Sequence, residues 1–132
     1  MKVTVDTNVL VRATVCDDLK QAETAQKILK EASLIAISLS CLCEFVWVLR
    51  RVYRIENADI CSTIRALLNT EKITMNRPAV EAGLAQLEAK GDFADSIIEH
   101  EGTWLGGETF ISFDKKAVTL LIKQGKNAAL LK

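Results

Sequence analysis

Short apolar runs of strand length alternate with longer stretches of helical periodicity along this chain, and that alternation restricts the fold more than any other feature. "KVTV" before Asp6, "LIAISL" from Leu34, "EKITM" from Glu71, "ETFISF" from Glu108 and "NAALLK" from Asn127 read as strands. Between them, residues 17–32 carry Leu19, Ala22, Ala25, Ile28, Leu29 and Ala32 at the 3.6-residue period of an amphipathic helix. A short helix is expected after Asp6, and another from Ser40 as its N-cap through "VWVLRRVY". Further helices are expected over 57–69, over 78–90 between Pro78 and Gly91, from Asp92, and from Asp114 to Gly125. Strand and helix in this order predict an α/β fold with a mostly parallel sheet of four to five strands, covered on both faces. No linker or shift in composition divides the chain, so residues 1–132 are expected to form a single domain.

The acids fall where such a sheet would form a site, beyond the carboxyl ends of its strands. Asp6 follows "VTV", Asp114 follows "TFISF", and Glu44 lies one turn into the helix after "LIAIS". Asp92 and Asp95 open the helix "DFADSIIE", in which Asp92, Asp95 and Glu99 stand at i, i+3 and i+7 on one face. Acids so aligned repel one another unless a cation lies among them, either a divalent ion or a Lys or Arg from elsewhere. Each acid also has a plainer explanation. Asp92, Asp95 and Asp114 suit helix caps and the first-turn dipole, and Glu44 suits a solvated helix face. Asp6, ending an apolar run, is the hardest to explain without partners.

Composition narrows the chemistry. A chain of 132 residues suits one core, and 17 basic against 17 acidic residues give no net charge. That balance argues against a sequence-independent DNA coat but leaves room for a local basic patch. No apolar run approaches the roughly 18 residues of a membrane span, and no signal peptide is visible, so a cytoplasmic address with no membrane partner is expected. Cys16, Cys41, Cys43 and Cys61 lack zinc-site spacing, and His100, the one histidine, is remote from them in sequence. They are expected to be reduced, buried thiols.

Carboxylate oxygens without a His or Cys cluster suit Mg²⁺ or Mn²⁺. Such an ion keeps several waters, activates one toward a phosphodiester and neutralises charge on the phosphate oxygens. On the helix from Ser40, Leu42, Phe45, Val46, Leu49, Val52 and Tyr53 cluster as the core face. Arg51 falls nearly in line with Glu44, about 10 Å along the axis, within reach of a bound phosphate. A solvated basic stripe accounts for it equally well.

Four segments carry a resemblance: "VDTNVLVR" (5–12), "SLSCLCEFVWVL" (38–49), "DFADSII" (92–98) and "FISFDKKA" (110–117). Together, and in this order, they resemble the PIN-domain ribonucleases, specifically the VapC-type toxins of type II toxin–antitoxin pairs. The resemblance implies a three-layer α/β/α fold and a Mg²⁺- or Mn²⁺-dependent endoribonuclease. It assigns catalysis and metal binding to Asp6, Glu44, Asp95 and Asp114, with Asp92 an additional acid. Thr7 and Asn8 match polar positions that orient Asp6. Ser112 stands where Thr is usual, and Glu99 where a small residue is usual; Glu99 then adjusts the metal site or pairs with a nearby cation. The implied partners are an RNA substrate, a second copy of the chain in a homodimer, and a cognate VapB-like antitoxin that blocks the acidic pocket.

Two other classes fit less well. A phosphohydrolase of the haloacid dehalogenase type needs a second Asp two residues after the first, and Asn8 stands there. A phospho-acceptor receiver domain needs an acidic pair at that strand end. A non-catalytic binding module on the PIN fold is the third reading, although every acidic position is filled.

Overall fold

Every strand of the computed structural model, which describes residues 1–132, is two or three residues long and pairs in parallel. The chain folds as two compact units, residues 1–76 and 77–132. The first unit runs β1 (Lys2–Thr4), α1 (Thr7–Val15), α2 (Leu19–Glu31), β2 (Leu34–Ala36), α3 (Leu39–Arg51), α4 (Asn57–Leu68) and β3 (Ile73–Thr74). Its sheet has the order β1-β2-β3, with Val3 opposite Ile35 and Ile35 opposite Ile73. Parallel neighbours require crossover connections, and the helices that supply them pack as α1 on α2 and on α3, and α3 on α4. The core of this unit gathers Val5, Leu10, Ile35, Ile37, Leu42, Phe45, Leu49, Ile60 and Ile64, all buried.

The second unit runs α5 (Arg77–Glu88), α6 (Phe93–Trp104), β4 (Phe110–Ser112), α7 (Lys115–Lys123) and β5 (Ala128–Leu130). Here β4 pairs with β5, Phe110 opposite Ala128, and α7 is the crossover between them. The fully buried amide of Gln86 accepts a 2.8 Å hydrogen bond from Gln124 Nε2, which ties α5 to the end of α7. The α/β class, the parallel pairing and five strands agree with the expectation. The ladders close as a three-stranded and a two-stranded sheet.

Local chemistry moves some boundaries. The cap of α3 is Ser38, not Ser40: its hydroxyl accepts from Cys41 N at 3.1 Å, and its extended backbone (φ −75°, ψ 158°) is the N-cap conformation. Ser40 already lies inside the helix. At the far end α3 stops at Arg51, so Val52 falls off the core face and is 58% exposed. After α5 the left-handed residue is Lys90, at φ 67°, and not Gly91. Gly91 is needed for space, since a Cβ there would lie 2.7 Å from Leu120 Cδ1 and 2.9 Å from Gln86. Cys41 and Cys61 are buried as expected, while Cys16 and Cys43 are only half-buried; all four are thiols. No helix is long and apolar enough to cross a membrane.

Gly83 is where α5 and α6 meet most closely. A Cβ there would lie 2.3 Å from Cε2 of the fully buried Phe93 ring. Alanine in a helix is favoured over glycine by about 1 kcal/mol, but overpacking against a ring with no room to move costs about 1–3 kcal/mol. Gly83→Ala is therefore expected to lower the unfolding free energy by up to about 2 kcal/mol in denaturant titration; a stabilised variant would show that the Phe93 ring is free to shift.

Candidate active site

Asp6 begins α1. Its Oδ1 accepts the Thr7 backbone amide at 2.7 Å, and its backbone is extended (φ −81°, ψ 158°). The strand-ending acid is thus an exposed helix cap. The buried Thr7 then turns its hydroxyl to Glu44 Oε2 at 3.2 Å, linking residues 37 positions apart. One threonine therefore holds both candidate site acids of this unit, Asp6 by its amide and Glu44 by its side chain. Thr7 contacts Asp6 through its backbone amide and Glu44 through its hydroxyl.

Cys41, on the first turn of α3, belongs to the same cluster. Burial pushes its thiol pKa up, the hydrogen bond with Thr7 opposes this, and the charges of Asp6 and Glu44 push it further up. Sequence reasoning had read Cys41 as a plain core thiol; its spacing of three residues before Glu44 was the available signal. Asn8, exposed on α1, lines a cleft against α2 together with Val9 and Arg12. Arg51 is the exposed last residue of α3.

In the second unit the acids also sit at helix starts. Asp92 caps α6, accepting from Ala94 N at 3.1 Å. Asp114 caps α7, accepting from Ala117 N at 3.1 Å, and its own amide donates to Ser112 Oγ at 2.9 Å. Ser112 thereby fixes the Asp114 backbone, as a hydroxyl at that place should. Asp95, on the first turn of α6, is half-buried, and its pKa is raised from 3.8 to about 6 by burial first, then by the charges of Asp92 and Asp114. Glu99 leaves this group: it accepts from Thr103 Oγ1 at 3.0 Å and lies 3.9 Å from Lys126 Nζ. Of its two expected roles, the structure gives Glu99 the cation partner.

The carboxylates thus fall into Asp6 with Glu44 in one unit, and Asp92, Asp95 and Asp114 in the other. In neither unit do three or more His, Cys, Asp or Glu side chains stand close enough to form a ready-made metal site. The donor chemistry still fits a hard divalent ion. Every candidate ligand is a carboxylate, and Asp95 has two like-charged neighbours with no cation among the influences on it.

The shift on Asp95 fixes a sign. With its folded pKa above the unfolded value of 3.8, the folded chain binds the extra proton, so stability is highest below that value and falls as pH rises through about 6. Solvent screening at a half-buried group limits the effect to about 1 kcal/mol, or roughly 4 °C in Tm. Thermal denaturation in EDTA between pH 4.5 and 7.5 is expected to show this fall after subtraction of the Asp95→Asn curve. Mn²⁺ should cancel it by neutralising the carboxylate. Identical profiles for the two proteins would contradict the assignment.

The family model described as PIN domain matches residues 3–118, across both units. A comparison with curated proteins gave no match. PIN domains are in general metal-dependent nucleases, and acids at these strand ends and helix starts are in keeping with that chemistry. The chain belongs to the PIN domain family.

Proposed function

We propose that the chain is a Mg²⁺- or Mn²⁺-dependent endoribonuclease, the toxin of a toxin–antitoxin pair, acting as one PIN-like nuclease domain over residues 1–132. The family assignment replaces the haloacid dehalogenase reading. The observation that carries the proposal is the uncompensated charge at Asp95, a half-buried carboxylate with Asp92 and Asp114 as neighbours. A purely structural cap would gain nothing from such company.

In this reading Asp6, Glu44, Asp95 and Asp114 hold the ion, with Asp92 adding charge beside Asp95. The ion, when bound, makes water a stronger nucleophile and neutralises charge on the phosphate. The protein's own part is to hold the carboxylates in position. Helix N-termini favour the negative charge of Asp6, Asp92 and Asp114, and the cap hydrogen bonds limit their movement. Thr7 sets the orientation of Asp6 and Glu44 together. Arg51, seven residues beyond Glu44 on α3, offers a guanidinium to an RNA phosphate.

Partner surfaces have support in exposed apolar side chains. Trp104, Leu105 and Phe113 are 80%, 89% and 73% exposed, and Trp47 is 58% exposed. Trp104 and Leu105, adjacent and both largely in water, support a partner surface at the end of α6. A second copy and a VapB-like antitoxin are the proposed occupants, in the cytoplasm.

Cleavage of single-stranded RNA followed by gel electrophoresis tests the activity. Asp6→Asn and Asp95→Asn are expected to abolish Mn²⁺-dependent cleavage with the far-UV circular dichroism unchanged. Thr7→Val, which removes the hydroxyl that holds Glu44 and keeps the shape, is expected to lose about 10–100-fold in rate. Full activity in Asp95→Asn would reject the assignment. In sedimentation at micromolar concentration a dimer is expected; Phe113→Glu is the variant chosen to shift it toward monomer, and a wild-type monomer would reject the homodimer.

A further inference from the structure

Side-chain hydrogen bonds join α1 to α3 at both ends of the pair. At the start of α1, Thr7 Oγ1 donates to Glu44 Oε2 at 3.2 Å. Beyond its end, Tyr53 Oη donates to Asp17 Oδ2 at 2.8 Å, and Asp17 Oδ1 lies 2.9 Å from Arg12 Nη1. Asp17 stands two residues past α1, and Tyr53 two residues past α3. The spacings match: ten positions from Thr7 to Asp17, and nine from Glu44 to Tyr53. At a helical rise of about 1.5 Å per residue the two runs are of similar length, so α1 and α3 lie side by side in the same direction. Leu10 on α1 and Phe45 and Leu49 on α3 are buried, but apolar burial is non-directional and does not pair one atom with another. The directional contacts do. The one at Glu44 is the longest of them, and the two at Asp17 are tighter. Both Asp17 oxygens are engaged. The Tyr53 hydrogen bond lowers the Asp17 pKa most, burial opposes this, and Arg12 adds to the lowering, so the acceptor is a carboxylate. Cys16, left-handed at φ 59°, ends α1 and turns the chain so that Asp17 comes back to Arg12.

We infer that Asp17 and Tyr53 are positioning residues: they set the axial register of α1 on α3 and so keep Thr7, together with Asp6, opposite Glu44. They act on the acids through the two helices. A slide of α1 along α3 would separate Thr7 from Glu44, and the Asp17–Tyr53 bond at the far end opposes that slide. The register rests on these contacts alone; its use in catalysis rests on the nuclease reading. Exposed polar contacts of this kind add little to overall stability, so their effect is expected in the geometry of the acids and not in folding.

The side-chain carboxylate carbon of Glu44, observed by NMR in the full chain in EDTA, reads this pairing without reference to activity. Thr7→Val removes the hydroxyl and defines the displaced Glu44 resonance. Tyr53→Phe deletes one hydroxyl at the far end of the pair. It is expected to move the Glu44 resonance in the same direction, and to add nothing in the Thr7→Val background. Asp17→Ala, which removes both contacts, should move it at least as far. Thr24→Val deletes an exposed hydroxyl bonded to Lys20 O on α2; it is the control and should leave the resonance in place. A Glu44 resonance at its wild-type position in Tyr53→Phe would overturn the inference, whatever the melting temperature of the variant. Cleavage in Mn²⁺ separates this from the nuclease reading. Tyr53→Phe is expected to lose kcat on the order of tenfold with KM unchanged. A displaced resonance with wild-type kcat would overturn the part that the register plays in catalysis. A displaced resonance beside a wild-type chain that does not cut RNA would uphold the register and defeat the nuclease reading.

Discussion

A carboxylate at the start of a helix accepts a hydrogen bond from an amide that the helix cannot satisfy itself, and this interaction fixes most of the acids that matter here. Asp6, Asp92 and Asp114 each give one oxygen to the first turn of α1, α6 and α7. Capping and catalysis are often weighed as rival explanations for such residues. Here they are compatible, because a cap bond uses one oxygen and leaves lone pairs on the other. The N-terminal dipole also lowers the cost of holding negative charge at that point. The fold therefore supplies carboxylates held by hydrogen bonds as a by-product of starting its helices.

Glu44 and Asp95 are held differently. Neither is a cap residue, and each lies within the first turns of its helix. Glu44 is tied to Asp6 through Thr7, so any displacement of α1 against α3 would be felt at both acids. Asp95 has no such tie; burial and two like charges act on it instead. One group is organised by hydrogen bonds and the other is under electrostatic stress. A divalent ion beside Asp95 would relieve that stress. This combination makes the acids more than decoration on helix ends.

Much of this was legible in the residues. Apolar runs bounded by acids and glycines located all five strands, and the 3.6-residue period located the helices, because burial on one side imposes both patterns. What escaped was decided by single hydrogen bonds. Ser38 and Ser40 are equally good caps on paper, and only the backbone conformation selects Ser38. The same holds for Asp6, whose amide partner is its immediate neighbour and leaves no long-range trace in the sequence. Glu99 reads as a third acid on the α6 face, but Lys126, 27 positions later, is its cation partner. Asn8 was assigned to Asp6 by resemblance, whereas α1 turns it toward α2. Side chains whose partners lie far along the chain cannot be paired from periodicity.

In the proposed function Asp6, Glu44, Asp95 and Asp114 serve one divalent ion. Side-chain carboxylate carbon resonances of the full chain, followed by NMR during titration with substoichiometric Mn²⁺, test this, since a paramagnetic ion broadens only nearby nuclei. The four resonances are expected to broaden together at the same Mn²⁺ concentration, while those of surface acids such as Glu23 and Glu31 persist. Broadening confined to Asp95 and Asp114, with Asp6 and Glu44 unaffected, would reject the shared ion.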